Sequence, residues 1–483
     1  MTTQLLTLAF ERPEIDWHAV APELTLLAVG CLITLIDIIF LEKARPYTAT
    51  LAGLGVLATA IPIITLAMDG VDRVLFDGAY VVDDFALFTK AIFLISGYVV
   101  ILLSTNYVAE GDYWENEYYG LLLASLMGMV MMSSSRDLIS IFVALELLSI
   151  PAYLMVAWRK RDARSNEAGL KYYLMGVFAS AVMLYGMSLL FGVSGSTQLS
   201  EISNFLTSGT VSSVSAITLA IVFVVAGFAF KVSAAPFHTW APDVYEGAPT
   251  PVTAFLSVAS KTAGFIALLQ LIYVGFHNQS AVYEPLIWIL AAASMTFGNL
   301  VALKQTNIVR MMAYSGVAQT GFILAPLAVA GHAGLEDQAL SAVLTYLAIY
   351  AAMNLGAFAV IITLSRKTGS AEIKSFSGAF RYAPAMTVSM AFFLFSLAGI
   401  PPLGGWFAKF EVFSVLASSG DVWGYALAVI AAINSVIALY YYASVARRMW
   451  ADEAPENDLT PVSTTSSLVS ALAICAIVTL AFG

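Results

Sequence analysis

The sequence predicts an all-α polytopic membrane protein with about 14 transmembrane helices. Of the 483 residues, 60% are apolar and only 11% are charged, whereas a water-soluble domain carries about 25% charged residues. Uncharged stretches recur along the chain, and each is close to or longer than the ~20 residues that cross a bilayer as a helix. Basic residues are divided unevenly between alternate loops, as a consistent membrane topology requires.

The predicted spans follow one another along the whole chain. The amino-terminal segment MTTQLLTLAFERPEID has neither a basic stretch nor a small-residue cleavage site, so we expect no removable signal peptide. The spans are predicted at 20–40, 47–68, 85–109, 118–135, 137–157, 167–191, 214–235, 249–276, 283–303, 307–330, 339–364, 384–418, 422–446 and 464–483.

Lysine and arginine predict the orientation of these spans. One set of alternate loops, which includes 158–171 and 365–381, holds fifteen basic residues, and the opposite set holds only Arg12, Arg73 and Arg136. Because loops rich in positive charge stay in the cytoplasm, we expect the first set to be cytoplasmic. Both termini are then expected on the periplasmic side.

The composition argues against a bound redox or nucleotide cofactor. Cys31 and Cys475 lie in the first and last spans and form no CxxC, whereas an iron–sulfur cluster needs about four thiolates. The four histidines are scattered, and neither GxGxxG nor a Walker loop is present. The sequence contains no basic patch interleaved with aromatic residues, which is the pattern that would suggest nucleic-acid binding. We expect this chain to bind none of these groups.

Charged side chains inside the spans are the candidate functional residues. A charge at mid-bilayer costs at least ~2.5–3.5 kcal/mol on insertion scales, and such residues usually line a pathway or a bundle interior. Glu146 lies near the centre of span five, in DLISIFVALELLSIPAYLMV. It could be a protonated acid buried by packing, but a partner on another helix is favoured because a satisfied pair costs less than an orphan charge.

Lys231 and Lys261 lie in spans seven and eight. Lys231 follows a long uncharged run, and it could extend its amine to the lipid headgroups. Pro236 argues against that interpretation because a proline removes a helix hydrogen bond, and a broken helix at membrane depth needs protein or water around it. Lys261 lies near the middle of its span, from which headgroups are hard to reach. Both lysines are therefore predicted to line an ion path.

The segment LAGIPPLGGWFAKF, residues 397–410, predicts a second broken helix in span twelve. Pro401 and Pro402 interrupt the helix, and Gly404 and Gly405 allow conformations that other residues resist. Discontinuous helices of this kind hold ion sites in transporters. Lys409 is predicted to stand on the second half-helix, at the break or just beyond it.

Three further charged residues receive structural interpretations. Lys90, near the outer end of span three, is predicted to extend toward the headgroups. Asp37, near the inner end of span one, is either interfacial or in contact with a neighbouring subunit. Glu411, two residues beyond Lys409, is interpreted as a salt-bridge or end-cap residue.

The chain is predicted to contain two similar five-span units, each with a broken helix that carries a lysine. An odd number of spans requires the two units to be inserted with opposite orientations, which is the inverted-repeat design of secondary transporters. The predicted divisions are 1–117 for three peripheral spans, 118–276 for the first unit, 282–450 for the second unit and 451–483 for the last span.

Polar residues in span ten could hold a water wire between the two units, although packing explains each of them equally well. These residues are Tyr314, Ser315, Gln319 and Thr320. Both interpretations remain open at the level of sequence.

Four segments carry a family resemblance that extends over nearly the whole chain. They are ELLSIPAYLM in span five, FKVSAAPFHTWAPDVYEGAPTPVTAFLSVASK in spans seven and eight, NIVRMMAYSGVAQTGF in span ten and LAGIPPLGGWFAKF in span twelve. Together they resemble the antiporter-like subunits of respiratory complex I, which are similar to subunits of Mrp-type antiporters and membrane-bound hydrogenases. Lys409, where the M-type branch is expected to have glutamate, and the absence of a long lateral helix favour the N-type branch.

The resemblance implies a proton relay made of Glu146, Lys231, Lys261 and Lys409. It implies a non-redox, proton-translocating subunit of NADH:quinone oxidoreductase in the bacterial inner membrane, with NADH, FMN, iron–sulfur clusters and quinone on other subunits. The implied partners are the M-type antiporter-like subunit, the small K-, J- and A-type membrane subunits, lipids and, indirectly, the peripheral arm. No histidine is seen on the central axis, so water would have to bridge hydroxyls and amides there.

Two alternatives remain open. A subunit of an Mrp-type cation/proton antiporter or a membrane-bound hydrogenase would share the fold, but sodium sites need ordered acidic residues and only Glu146 is central. A structural membrane spacer would use the same charges to hold helices together.

Overall fold

The computed structural model describes residues 15–40, 45–109, 115–208, 214–455 and 458–482. Arg12 and the predicted position of the amino terminus lie outside the described residues. Within these ranges the chain forms eighteen α-helices and one short β-hairpin, β1 (Arg73–Leu75) with β2 (Tyr80–Val82). The helices are α1 (Ala21–Phe40), α2 (Arg45–Asp69), α3 (Asp84–Ala109), α4 (Glu115–Ser134), α5 (Leu138–Val156), α6 (Ala163–Ser194), α7 (Leu199–Thr207), α8 (Val214–Lys231), α9 (Trp240–Gly247), α10 (Thr250–Phe255), α11 (Lys261–Gln270), α12 (Ser280–Ala302), α13 (Ile308–Leu324), α14 (Glu336–Thr368), α15 (Pro384–Ala398), α16 (Gly404–Ser418), α17 (Val422–Ala451) and α18 (Ser466–Ala481).

Eleven helical stretches of the described chain are long and apolar enough to cross a membrane. They coincide with the predicted spans one to three, five to eleven and thirteen. The three other predicted spans correspond to α4, to the pair α15 and α16, and to α18. The protein is therefore an all-helical polytopic membrane protein.

Local sequence signals explain where several helices begin and end. Aspartate or asparagine side chains cap α5, α6, α13 and α17 by accepting hydrogen bonds from backbone N–H groups of the first turn. Gly195 and Gly369 end α6 and α14 in the left-handed conformation, which glycine adopts without a steric penalty.

Two helices are broken at the predicted places. α8 ends at Lys231 and α9 begins at Trp240, so that Pro236 lies in the connection. α15 ends at Ala398 and α16 begins at Gly404, with Pro401 and Pro402 between them. The peptide bonds before Pro236 and Pro402 are cis.

In span twelve, the glycine with the left-handed backbone conformation is not one of the two that were predicted to have it. Gly399, with φ +91°, is the residue of this break that takes the left-handed conformation, whereas Gly404 and Gly405 are the first residues of α16. A Cβ atom at Gly405 would lie 1.8 Å from the backbone oxygen of Ser396. Gly405 is therefore required for close approach of the two half-helices, and the prediction of unusual backbone angles at Gly404 and Gly405 was wrong.

The helix of span eight contains irregular turns that the sequence analysis did not predict. Between α10 and α11 the backbone forms a π-helical segment, Leu256–Ser260, and a second one, Leu271–Gly275, follows α11. π-helical turns are rare and frequently occur at functional sites. Lys261 is the first residue after the first of these segments.

The centre of the protein is formed by span eight together with α13 and α14. The stretches Thr250–Gly275, Ile308–Val329 and Glu336–Thr368 are almost wholly enclosed by other helices. By contrast, less than a third of α1 and of α17 is buried within the protein, as expected for helices that face lipid. Charged residues on the enclosed helices must find their partners inside the protein.

Candidate functional site

Lys231 lies at the last turn of α8, beside the first helix break. Its side chain is 5% exposed, and its Nζ donates to Ser149 Oγ at 2.8 Å and to Tyr172 Oη at 3.3 Å. A Cβ atom at Gly264 of α11 would lie 3.1 Å from Lys231 Cγ, so the lysine stem is held closely by the neighbouring helix. The amine is thus directed to hydroxyl groups inside the bundle.

Glu146 lies on α5, one turn before Ser149. It is half-buried, and it accepts a hydrogen bond of 2.6 Å from Ser180 Oγ of α6. A cavity of about 10 Å³ lies between α5, α6 and α8 and is lined by Ser149, Ser180 and Lys231. This volume is close to what one water molecule requires. The partner expected on another helix is therefore a serine, and the cavity lies between that serine and the lysine.

Lys261 lies in the middle of the molecule, with its side chain 2% exposed. Its Nζ donates to the backbone oxygen of Gly316 in α13 at 2.8 Å. Thr320, one turn further along α13, donates from Oγ1 to the same oxygen at 3.0 Å and to the oxygen of Val232 at 2.7 Å. Val232 is the residue after Lys231, and Gly316 is the acceptor of Lys261. Thr320 therefore connects a carbonyl next to Lys231 with the carbonyl that Lys261 contacts.

Lys409 lies on α16 and reaches back across the second helix break. Its side chain is 4% exposed, and its Nζ donates to the backbone oxygen of Ala398, the last residue of α15, at 2.8 Å. Ser435 Oγ of α17 is a second acceptor at 3.4 Å, and the ring of Phe322 lies 4.5 Å from the amine. The broken helix thus supplies a free carbonyl to the lysine.

A chain of buried polar side chains occupies the space between Lys261 and Lys409. Gln319 donates to the oxygen of Leu397 at 3.1 Å and accepts from Tyr346 Oη at 2.5 Å. Ser315 Oγ and Tyr442 Oη are 2.5 Å apart. Ser315, Gln319 and Thr320 therefore lie together inside the bundle, whereas Tyr314 is only half-buried.

Sequence reasoning missed several polar residues of this region. Tyr172, Tyr346 and Tyr442 are fully enclosed, but a tyrosine in an apolar helix is common and gives no signal in the sequence. Their contribution depends on helices that are distant in the chain.

Lys90 shows a different arrangement, and the prediction that it extends to the headgroups was wrong. Its side chain is 0% exposed, and its Nζ lies 2.8 Å from Glu23 Oε1 of α1 and 3.0 Å from Tyr80 Oη of β2. Tyr80 donates to the same carboxylate oxygen at 2.6 Å. Folding of the hairpin and α1 over α3 thus buries this lysine in an ion pair.

An ionic network joins α6, α9 and α13. Asp243 of α9 accepts from Lys171 at 2.9 Å and from Arg310 at 2.8 Å. Glu246 also accepts from Arg310, at 2.8 Å. Partial burial acts to raise the pKa of Asp243, but hydrogen bonds from Lys171 and Arg310 outweigh it and hold that pKa below the ordinary value. The network ties the segment after the first break to α13.

The remaining candidates, Glu411 and Asp37, lie outside the proton-relay surroundings described above. Glu411 lies in the middle of α16, so it is not an end cap, and no ion pair of Glu411 is found among the described residues. Asp37 borders a groove that also contains Glu117 and Lys160. No group of three or more His, Cys, Asp or Glu side chains in the described part of the chain could hold a metal ion.

Comparisons with known proteins agree on the family. Residues 135–437 match the family model described as NADH:quinone oxidoreductase/Mrp antiporter, TM. NADH-quinone oxidoreductase subunit N of Trichlorobacter lovleyi is 38% identical, with 89% of this chain and 87% of the relative covered. NAD(P)H-quinone oxidoreductase subunit 2 of Synechocystis sp. is 41% identical, with coverage of 92% and 84%.

Solved structures share the fold. A chain of respiratory complex I from Thermus thermophilus is 28% identical with a TM-score of 0.77, and 95% of this chain and 96% of that chain are covered. A chain of the Mrp complex from Dietzia sp. has a TM-score of 0.83 at 20% identity, with coverage of 97% and 94%. At 20% identity, the similarity to the Mrp chain shows a shared fold and nothing about function. The chain belongs to the antiporter-like transmembrane subunits of NADH:quinone oxidoreductases and Mrp antiporters, and its high-coverage relatives include subunit N of NADH-quinone oxidoreductase and subunit 2 of NAD(P)H-quinone oxidoreductase.

Proposed function

We propose that this chain translocates protons as a membrane subunit of NADH:quinone oxidoreductase, through a relay made of Glu146, Lys231, Lys261 and Lys409. The observation that carries the proposal is the surroundings of the three lysines. Each is at most 5% exposed, and each amine is hydrogen-bonded to neutral oxygen atoms rather than to a carboxylate.

Neutral partners leave both protonation states of an amine accessible. A carboxylate beside a buried lysine favours the charged form strongly, whereas desolvation alone disfavours it. A hydroxyl or carbonyl oxygen accepts a hydrogen bond from either the ammonium or the amine. Such a lysine can gain or lose a proton when a nearby charge moves, which is what a relay requires.

The first part of the proposed route runs from Glu146 to Lys231. Ser180 holds the carboxylate and borders the small cavity that also contacts Lys231 and Ser149. A water molecule in this cavity would bridge the hydroxyl groups. Movement of Glu146 toward the cavity keeps Lys231 charged, and its withdrawal favours transfer of the proton onward past Tyr172.

The second part runs from Lys261 to Lys409. Lys261 donates to the carbonyl of Gly316, and Thr320 donates both to that carbonyl and to the carbonyl of Val232, the residue after Lys231. Gln319 contacts the carbonyl of Leu397, and Lys409 contacts that of Ala398, the next residue. The span-ten polar residues would then hold water along this line, with the free carbonyls of the broken helix as acceptors.

The proposal includes fourteen spans arranged as two inverted units, 118–276 and 282–450, with 1–117 and 451–483 outside them. One hydrogen-bonded corner supports the first unit. The N–H of Leu138 donates to the oxygen of Thr197 at 2.9 Å, and the N–H of Leu199 donates to the oxygen of Arg136 at 3.0 Å. This corner joins the start of α5 to the chain after α6.

The second unit has the same corner. The N–H of Ile308 donates to the oxygen of Ala371 at 2.9 Å, and the N–H of Ile373 donates to the oxygen of Thr306 at 2.8 Å. It joins the start of α13 to the chain after α14. Because the first corner contains Arg136 of the predicted periplasmic set and the second lies in the predicted cytoplasmic set, the two units would have opposite orientations.

The packing of the first two helices is also the same in the two units. A Cβ atom at Gly128 of α4 would lie 2.6 Å from the backbone nitrogen of Leu148, and one at Gly298 of α12 would lie 2.5 Å from that of Ala318. In both units, a glycine thus allows the first helix to touch the backbone of the second. Each unit would provide a half-channel to one side of the membrane, with Lys261 between them.

The remaining parts of the proposal concern the complex around this chain. NADH, FMN, iron–sulfur clusters and quinone are assigned to other subunits, and this chain contributes no redox group. Its neighbours would be the M-type antiporter-like subunit and the small K-, J- and A-type subunits in the bacterial inner membrane. Both chain termini would lie on the periplasmic side.

The test uses the assembled complex reconstituted into vesicles. Lys231→Met, Lys261→Met and Lys409→Met should each lower the number of protons moved per electron delivered to quinone. Lys304→Met, which removes an exposed lysine, is the matched control. Normal proton-to-electron ratios in all three variants, with normal assembly on native gels, would contradict the relay. A smaller amount of assembled complex, in which each complex still turns over at the normal rate, would favour a structural spacer.

A further inference from the structure

Trp240, the first residue after the first helix break, has no part in the proposed relay, but it packs against one of the partners of Lys231. Its side chain is 2% exposed. Its ring stacks on the ring of Tyr172 in α6, with the centroids 4.6 Å apart and an angle of 16° between the planes. Tyr172 is the second hydrogen-bond acceptor of the Lys231 amine. The tryptophan therefore supports one of the two side chains that hold the amine.

The indole N–H of Trp240 makes a second connection to the same place. Its Nε1 donates to the backbone oxygen of Phe230 at 3.1 Å. Phe230 is the residue before Lys231 in the last turn of α8, where the regular hydrogen bonds of a helix end. One side chain thus contacts both the backbone next to the lysine and the ring of its acceptor.

The ring of Tyr172 also has a neighbour on α5. The rings of Tyr153 and Tyr172 meet edge to face, with the centroids 4.7 Å apart and an angle of 81° between the planes. Both stacked and edge-to-face pairs are favourable arrangements of aromatic rings. Because the Tyr172 ring packs between α5 and α9, loss of its stacked neighbour would allow it to turn away from the amine.

The position of α9 is fixed independently by the ionic network. Asp243, one turn after Trp240, accepts from Lys171 at 2.9 Å and from Arg310 of α13 at 2.8 Å. Lys171 is the residue before Tyr172. α9 is therefore joined to α6 twice, by a partly exposed ion pair and by a buried aromatic stack. The rest of the protein places Trp240, and Trp240 in turn restrains Tyr172.

We propose that Trp240 is a positioning residue for proton transfer at Lys231, because its ring keeps the Tyr172 hydroxyl at hydrogen-bond distance from the amine. This inference rests on the proposed relay. The distance from Lys231 Nζ to Tyr172 Oη is 3.3 Å, compared with 2.8 Å to Ser149 Oγ. A contact of 3.3 Å is already near the limit for a hydrogen bond. A small displacement of Tyr172 would break it and leave the contact to Ser149 in place.

Trp158 offers a matched comparison within the chain. It is also buried, with 6% of its side chain exposed, and its ring meets the ring of Tyr118 at a centroid distance of 5.6 Å. The hydroxyl of Tyr118 lies 2.9 Å from Ser104 Oγ, and Ser104 is not a relay residue. Both tryptophans contribute to packing through a tyrosine, but the tyrosine beside Trp240 contacts a lysine of the relay.

The test measures NADH-driven acidification of vesicles that contain the assembled complex, per amount of complex on native gels. Trp240→Leu should lower this rate by about fivefold, the effect of losing one aromatic pair, whereas Trp158→Leu should leave it unchanged. Trp240→Phe keeps an aromatic ring and should retain most of the wild-type rate. Lys231→Met is measured in the same series. If Trp240→Leu does not assemble, Trp240→Met, which fills more of the space, replaces it.

A double substitution distinguishes positioning from packing. Tyr172→Phe removes the hydroxyl and keeps the ring. If Trp240 acts through that hydroxyl, adding Trp240→Leu to Tyr172→Phe should lower the rate little further, because substitutions that act through one shared partner are not additive. A general packing contribution would be equally large with and without the hydroxyl.

Two results would overturn the positioning role and leave the relay intact, provided that Lys231→Met lowers the rate. The first is an equal rate per assembled complex for Trp240→Leu and Trp158→Leu. The second is an equal effect of Trp240→Leu in the wild-type and Tyr172→Phe backgrounds. A normal rate in Lys231→Met would instead contradict the relay itself, and the role of Trp240 with it.

Discussion

Lys90 in α3 and Lys231 in α8 are both buried lysines in apolar helices, with exposed fractions of 0% and 5%. Their partners differ. Lys90 contacts the carboxylate of Glu23 at 2.8 Å, whereas Lys231 contacts the hydroxyl groups of Ser149 and Tyr172. The first lies where α1 and the β-hairpin pack on α3, and the second lies beside a helix break.

The difference teaches that burial alone does not identify a proton-carrying lysine. A carboxylate at hydrogen-bond distance fixes the charged state and makes the pair a structural contact. Neutral oxygens satisfy the amine in either state and allow its charge to change. We therefore expect Lys90 to hold α1 against α3, and Lys231 to exchange protons.

The largest expected effect is loss of stability in Lys90→Met. This change leaves the carboxylate of Glu23 buried without its cation, which costs about 3–5 kcal/mol. Thermal inactivation of the assembled complex should occur at a clearly lower temperature than for the wild type. Lys304→Met is the control, and unchanged thermal stability of the Lys90 variant would show that the pair is not structural.

The next largest effect is expected when each lysine is replaced by arginine, which keeps the positive charge but cannot release a proton. Arginine keeps a positive charge but does not deprotonate in proteins. Lys231→Arg should therefore lower NADH-driven acidification of vesicles by about a hundredfold, the lower end of the roughly 10²–10⁴-fold contribution of a positioned proton-transfer group. Lys90→Arg should preserve activity because the ion pair remains. Equal activity of the two variants would contradict the distinction.

A smaller effect is expected from Ser149→Ala. The substitution removes the closer of the two acceptors of Lys231 and leaves Tyr172 at 3.3 Å. A single hydrogen bond contributes about 1 kcal/mol, so turnover coupled to proton movement should fall by about fivefold. Activity equal to that of the wild type at every pH tested would indicate that Ser149 does not hold the amine.

The smallest effect is expected when both members of the Lys90 pair are replaced. Glu23→Gln combined with Lys90→Met removes the buried charges together, and such replacements are often close to neutral. The double variant should recover thermal stability to within about 1 kcal/mol of the wild type, as estimated from the net contribution of one hydrogen bond. A double variant as unstable as Lys90→Met would mean that the charge imbalance is not the cause.

The sequence was sufficient to predict features that depend on neighbouring residues. Hydropathy located the helices, and proline marked the breaks after Lys231 and Ala398, because both signals are local. The places of Lys231, Lys261 and Lys409 within apolar runs predicted that these lysines lie inside the protein. These residues are buried as expected, although their roles in proton transfer stay predictions.

Partners could not be predicted because they come from distant parts of the chain. Glu23 is 67 positions from Lys90, and no local pattern connects them. Gln319 meets Tyr346 and Leu397 only because α13, α14 and α15 pack together. The role of Gly405 was also misjudged, since its close approach to the backbone of Ser396 arises from the packing of two half-helices and not from unusual backbone angles at the glycine.

The most direct test of the central claim measures protons translocated per NADH oxidised, in one vesicle preparation, for Lys231→Met and Lys90→Met. The account predicts a lower ratio for Lys231→Met and an unchanged ratio for those complexes of Lys90→Met that assemble. Equal ratios in the two variants, whether normal or reduced, would contradict the claim that neutral partners distinguish a proton-carrying lysine from a structural one.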